Sequence, residues 1–88
     1  TPEQDQTPIV LRFSREVAYR VYDEFDLNHI QEQENGEMLV TAYMPQDGWL
    51  TGFLLSFGAQ VEVISPAYLR EVLAAQAREI YEKNRADA

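Results

Sequence analysis

At 88 residues, 45% hydrophobic and 25% charged, the sequence has room for one hydrophobic core and none for a second domain; it reads as a folded domain and not as a disordered tail. The balance of 7 basic against 15 acidic residues, a formal charge of -8, repels phosphate backbones at long range, so nucleic acid is not the default partner. The absence of cysteine removes disulfides and thiolate metal sites and suits a reducing cytosol, while no apolar run approaches the ~18–20 residues of a membrane span and Thr1–Thr7 lacks the basic and apolar segments of a signal peptide.

Thr1 to Pro8 is polar, carries two prolines and has no apolar period, so it reads as a linker remnant joined to something upstream. Ile9, Leu11 and Phe13 alternate with Val10 and Arg12, the period of a strand with one buried face. Ser14 then supplies a cap for a helix over Arg15 to Phe25, with Val17, Ala18, Val21, Tyr22 and Phe25 on one stripe. Asn28 to Glu34 is a polar second strand, placed at a sheet edge where Glu32 and Glu34 discourage further pairing. Asn35-Gly36 turns it into a third strand within the apolar run Met38 to Met44.

Pro45 ends that strand, and Asp47 caps a short apolar helix, Gly48 to Phe57, with Gly58 as its stop. Val61 to Ile64 alternates as a fourth strand, and Ser65-Pro66 provides the cap and first position of a last helix. Its apolar residues Leu69, Val72, Leu73, Ala77, Ile80 and Tyr81 recur three or four apart before the charged end Glu82 to Asp87. The order βαββαβ plus a C-terminal helix is the split βαβ of an α+β, ferredoxin-like fold, with an antiparallel sheet in strand order 4-1-3-2 and two helices on one face. Strands one and four are then neighbours, and Arg12 and Glu62 pair across the uncovered face.

Catalytic chemistry finds little to stand on. His29 is the sole histidine and reads as a surface or sheet-edge residue; without a second one no histidine metal pair or Ser-His relay forms. Glu32, Glu34 and Glu37 flank a hairpin and are solvated, which is no setting for an acid catalyst, and the spacing of an EF-hand is absent. The glycines at 36, 48, 52 and 58 make neither a GxGxxG nor a P-loop. Acylphosphatases share the topology, but their glycine-rich, arginine-bearing loop is not found in Phe13-Ser14-Arg15-Glu16. RNA-binding domains of this topology stack bases on aromatics of strands one and three in basic surroundings; here Leu39, Thr41 and Tyr43 line strand three but strand one offers Val10 and Arg12. The chain is therefore not expected to be an enzyme, and no cofactor is expected.

Trp49 is expected in the core or a domain interface, and Arg15, Arg20, Arg70 and Arg78 on solvated helix faces near Glu16, Asp23, Glu24 and Glu79. The feature left over is the uncovered sheet face, where Val10, Leu39, Tyr43 and Ile64 make an apolar patch of the kind that marks interfaces. The last helix, a partner subunit or a neighbouring domain has to cover it.

From Ile9 onward, about nine tenths of the chain resembles the C-terminal extension, WCX, of bacterial WYL-domain transcriptional regulators of the DeoR and YafY-like type. The resemblance is carried by IVLRF entering REVAYRV, by DGWLTGFLLSFG, by VEVISP, and by AYLREVLAAQAREIYEKN, in that order and spacing. It implies an upstream winged helix-turn-helix that binds DNA, a central WYL domain with an Sm-like barrel that senses a ligand or nucleic acid, and a ferredoxin-like C-terminal module for oligomerisation and signal relay in the cytoplasm. The expected partners are thus the chain's own upstream domains and a second copy in a homodimer, with DNA contacted through the helix-turn-helix and not here, no membrane, and an effector the sequence does not identify. Val10, Arg12, Leu39, Tyr43 and Ile64 are the expected interface. A small-molecule sensor resembling ACT domains is the alternative, although the glycine those domains carry in the first strand-to-helix turn is missing.

Overall fold

The computed structural model describes residues 8–44 and 48–86. The expected linker Thr1 to Pro8, all but its last residue, lies outside them, as do the Pro45 stop and the Asp47 cap. Four antiparallel strands, β1 (Ile9–Phe13), β2 (Ile30–Glu32), β3 (Met38–Ala42) and β4 (Val61–Ser65), form one sheet in the order β2-β3-β1-β4. With α1 (Ala18–Glu24), α2 (Gly48–Leu55) and α3 (Ala67–Asn84), this is the expected ferredoxin-like α+β arrangement with a C-terminal helix.

The alternation in β1 and β3 decides the layers. Ile9, Leu11 and Phe13 of β1 and Met38, Val40 and Ala42 of β3 are buried on one side, where they meet Val21 and Phe25, Leu50, Leu54 and Phe57, and Leu69. Phe13 is the hub, its ring 4.8 Å from that of Phe57 and 5.6 Å from that of Phe25. Burial of each such side chain contributes about 1.5–3 kcal/mol, which is the main source of stability in a domain of this size.

The element ends differ from expectation where backbone groups find other partners. Ser14 makes no side-chain cap. Its N–H instead donates to Gln60 O at 2.9 Å, tying the end of β1 to the start of β4, and the chain passes through a 3-10 turn, Arg15–Val17, before α1 begins. Phe25 is extended and lies just past the helix. Strand two is shorter than Asn28 to Glu34, because the Asp26 carboxylate accepts from Asn28 N–H at 2.9 Å and winds Leu27–His29 into a 3-10 turn. The hairpin loop spans Glu34 to Gly36. Gly36 N–H donates to Gln33 O at 3.0 Å and Gly36 sits at φ +88°, a three-residue loop with glycine in the left-handed region instead of a two-residue turn.

The second helix stops at Leu55, two residues early, and Gly58 at φ +62° carries the reversal beyond it. Ser65 is the last residue of β4 and Pro66 the flanking position of α3, so neither acts as the expected side-chain cap and first helical residue. The last helix packs along the edge strand β4 and against α2. It does not serve as a cover for the sheet's open side.

Candidate functional site

Cross-strand register places Val10, Arg12 and Leu39 of the candidate residues on that open side. Arg12 stands between Leu39 of β3 and Glu62 of β4, and Gln31 of β2 faces Leu39, giving the row Gln31, Leu39, Arg12, Glu62. The next row is Thr41, Val10, Ser65. Between Val10 and Leu11 the register against β4 slips, so Ile64 has no Cα partner on β1. Val10, Leu39 and Ile64 are half-buried, and Tyr43, just past the end of β3, is half exposed.

The face is less uniformly apolar than the alternation implied. Val10 is flanked by Thr41 and Ser65, and Leu39 shares its row with Gln31, Arg12 and Glu62. The Arg12 guanidinium donates to Glu62 Oε1 at 3.1 Å, the expected pair, and Arg70 reaches the second oxygen of Glu62 at 3.5 Å. One carboxylate thus bridges two arginines on two elements. This surface can bury an apolar cluster against a partner while its ion pairs fix register.

Two of the arginines expected on solvated helix faces are held by distant partners. Arg70 donates to Val63 O at 3.2 Å, capping a carbonyl of the edge strand in addition to meeting Glu62. Arg20 donates to Ser56 O at 3.1 Å and to Ser56 Oγ at 3.0 Å, and its guanidinium lies 3.9 Å from the centre of the Phe57 ring. It fastens α1 to the end of α2 across 36 residues of sequence, a separation that no local pattern announces.

Trp49 is not in the core. It is 62% exposed and stacks flat on Phe53, 5.1 Å between centres and 5° between planes. Phe53 in turn meets Phe25 and Phe57 edge-on. His29 is exposed, as expected of a surface residue. Tyr22 donates from its hydroxyl to Glu32 Oε1 at 2.9 Å, and that bond to a carboxylate pushes the phenol above its ordinary range. Among the described residues no group of three or more histidine, aspartate or glutamate side chains is placed to hold a metal ion, and no helix is long and apolar enough to cross a membrane.

Comparison with known proteins adds two findings. The WCX domain family matches residues 5–81. An uncharacterized HTH-type transcriptional regulator of Bacillus subtilis, YobV, is 38% identical over 47 residues, a stretch that covers 53% of this chain and 15% of that protein.

Proposed function

The chain belongs to the WCX domain family, and from that premise we propose that it is the non-catalytic regulatory and assembly domain of a bacterial helix-turn-helix transcriptional regulator. On this reading an effector bound elsewhere in the parent protein changes how two subunits are arranged, and thereby how their DNA-binding regions sit. The DNA contact belongs to the helix-turn-helix, the setting is the cytoplasm, and this domain supplies the contact between subunits.

The observation that carries the reading is the sheet face that α3 leaves uncovered, with Val10, Leu39, Tyr43 and Ile64 around the Arg12–Glu62 pair. The partial likeness to an HTH-type regulator supports the transcriptional context. Sedimentation at several concentrations tests the assembly role. The chain should show a concentration-dependent dimer, and Tyr43→Glu, on a half-exposed side chain, should weaken it. Association that Tyr43→Glu leaves unchanged would rule out this face.

A further inference from the structure

Burial along the C-terminal helix falls from Leu69, which is buried, through half-buried Leu73 to exposed Ala77. The cause lies in its neighbour. α2 ends at Leu55 and the chain turns away at Gly58, φ +62°, so the middle of α3 runs past the end of the helix it packs on. A wedge-shaped cleft of about 230 Å³ opens there between α3, the end of α2 and the start of β4. Its floor is apolar, made by Leu54, Leu55, Val61 and Leu73. Small residues, Gly58, Ala74 and Ala77, stand where larger side chains would close it. A Cβ added at Gly58 would meet nothing within 4 Å.

Two charged groups line the same cleft, Glu62 of β4 and Arg70 of α3, with side chains 45% and 58% exposed. They approach only to 3.5 Å, longer than a good hydrogen bond. Arg70 makes this contact and its bond to Val63 O through one nitrogen, Nη1. Its Nη2 and Nε edge, the fork that grips a carboxylate, has no partner among the described residues. Two larger clefts lack one half of this combination. The groove between the starts of α2 and α3 holds no charged side chain, and the pocket beside the hairpin has Leu39 alone as an apolar wall.

We propose that the wedge binds an aliphatic α-amino acid of the leucine type. The side chain fills the apolar wedge, the α-carboxylate takes the free edge of Arg70, and the α-ammonium meets Glu62 Oε2, which otherwise has only the long contact to Arg70. A cation and an anion side by side select a zwitterion. An aliphatic carboxylate alone would lie beside Glu62 and an aliphatic amine alone beside Arg70, so each would be opposed by one like charge. Size agrees, since the cleft is smaller than the ~300–1,000 Å³ of pockets for drug-sized ligands. The site goes beyond the assembly role and does not depend on it.

The test is an amide NMR titration of the whole chain with L-leucine. Saturable shifts are expected at Gly58, Val63, Ala74 and Ala77, with a Kd on the order of 1 mM for so small a ligand at a half-open site. Ala77→Leu fills the wedge and takes no contact away, so it should keep the fold and weaken binding at least tenfold. Arg70→Met should weaken it as much by removing the carboxylate fork, and circular dichroism of both variants separates loss of binding from loss of fold. Ala75→Leu, at an exposed position outside the wedge, should bind like the parent. Isocaproate and isoamylamine, each lacking one of the two charges, should bind at least tenfold more weakly than leucine. No saturable shift at about ten times the expected Kd would overturn the site. Unchanged affinity in Ala77→Leu would overturn its placement in the wedge, and isocaproate binding as tightly as leucine would overturn the choice of a zwitterion.

Discussion

Arg12 and Glu62 face each other across β1 and β4, nitrogen to oxygen 3.1 Å apart, on the side of the sheet that no helix covers. Both side chains are nearly half exposed, at 44% and 45%, so solvent screens the attraction and the pair sets register more than it adds stability. A double-mutant cycle with Arg12→Ala and Glu62→Ala, read by urea unfolding, should give a coupling of about 0.2–1 kcal/mol, shrinking in 1 M salt. Glu62→Ala should cost more than Arg12→Ala, since it also removes the ion pair of Arg70 and leaves that guanidinium its hydrogen bond to Val63 O.

Arg20→Met tests the link between α1 and α2. The substitution keeps an apolar stem over Phe57 but removes the donors to Ser56 O and Oγ. Loss of two hydrogen bonds from a charged group at a partly solvated site should destabilise the chain by about 1–2 kcal/mol. Arg78→Met, the control, changes an exposed residue of α3 and should fall within about 0.5 kcal/mol of the parent.

The sheet was legible because its signals are local and redundant: period-two alternation in Ile9–Phe13 and Met38–Ala42, glycine at the hairpin, and a chain order that leaves one sensible strand arrangement. The Arg12–Glu62 pair followed from that order alone. The start of the first helix was not legible, since Ser14 has the residue type of a cap but its side chain makes no cap hydrogen bond and a 3-10 turn, Arg15–Val17, precedes α1. The partners of Arg20 and Arg70 are set by tertiary approach, which a helix-face pattern does not encode. Trp49 was left between the core and a domain interface for a related reason. Apolar residues occupy nearly the whole circumference of α2, so periodicity could not say which of them would face out.

Phe13→Ala should be the most damaging of these substitutions. The ring is fully buried and touches both Phe25 and Phe57, so its removal opens a cavity between the sheet and two helices. A loss of about 3–5 kcal/mol is expected, and thermal unfolding should register it as a large fall in Tm or as failure to fold.

Gly36→Ala and Gly58→Ala separate backbone strain from crowding. Both positions have positive φ, +88° and +62°, so each alanine should cost about 1–2 kcal/mol from conformation alone. At Gly58 a new Cβ enters open space. At Gly36 it would come within 3.2 Å of Arg15 Cδ and 3.3 Å of Arg15 Cβ, so Gly36→Ala should be the more destabilising. Restoring part of that difference by Arg15→Ala in the Gly36→Ala background would identify the side-chain contact as its source.

Tyr22 provides a pH-dependent test of the contact between α1 and β2. Its hydroxyl donates to Glu32, and the hydrogen bond first, then desolvation and the carboxylate charge, raise the phenol above its ordinary value near 10. A folded-state value above the unfolded one means that the native state holds this proton more tightly. The associated stability is therefore fully present below about pH 10 and is lost as pH rises through the folded value. Ultraviolet titration of phenolate should show one tyrosine ionising later than the others, and Glu32→Gln should bring it down toward the ordinary range. In Tyr22→Phe that late component should vanish. If it persisted, the Tyr22–Glu32 hydrogen bond would not be its source, and the polar edge strand would be held to α1 by packing alone.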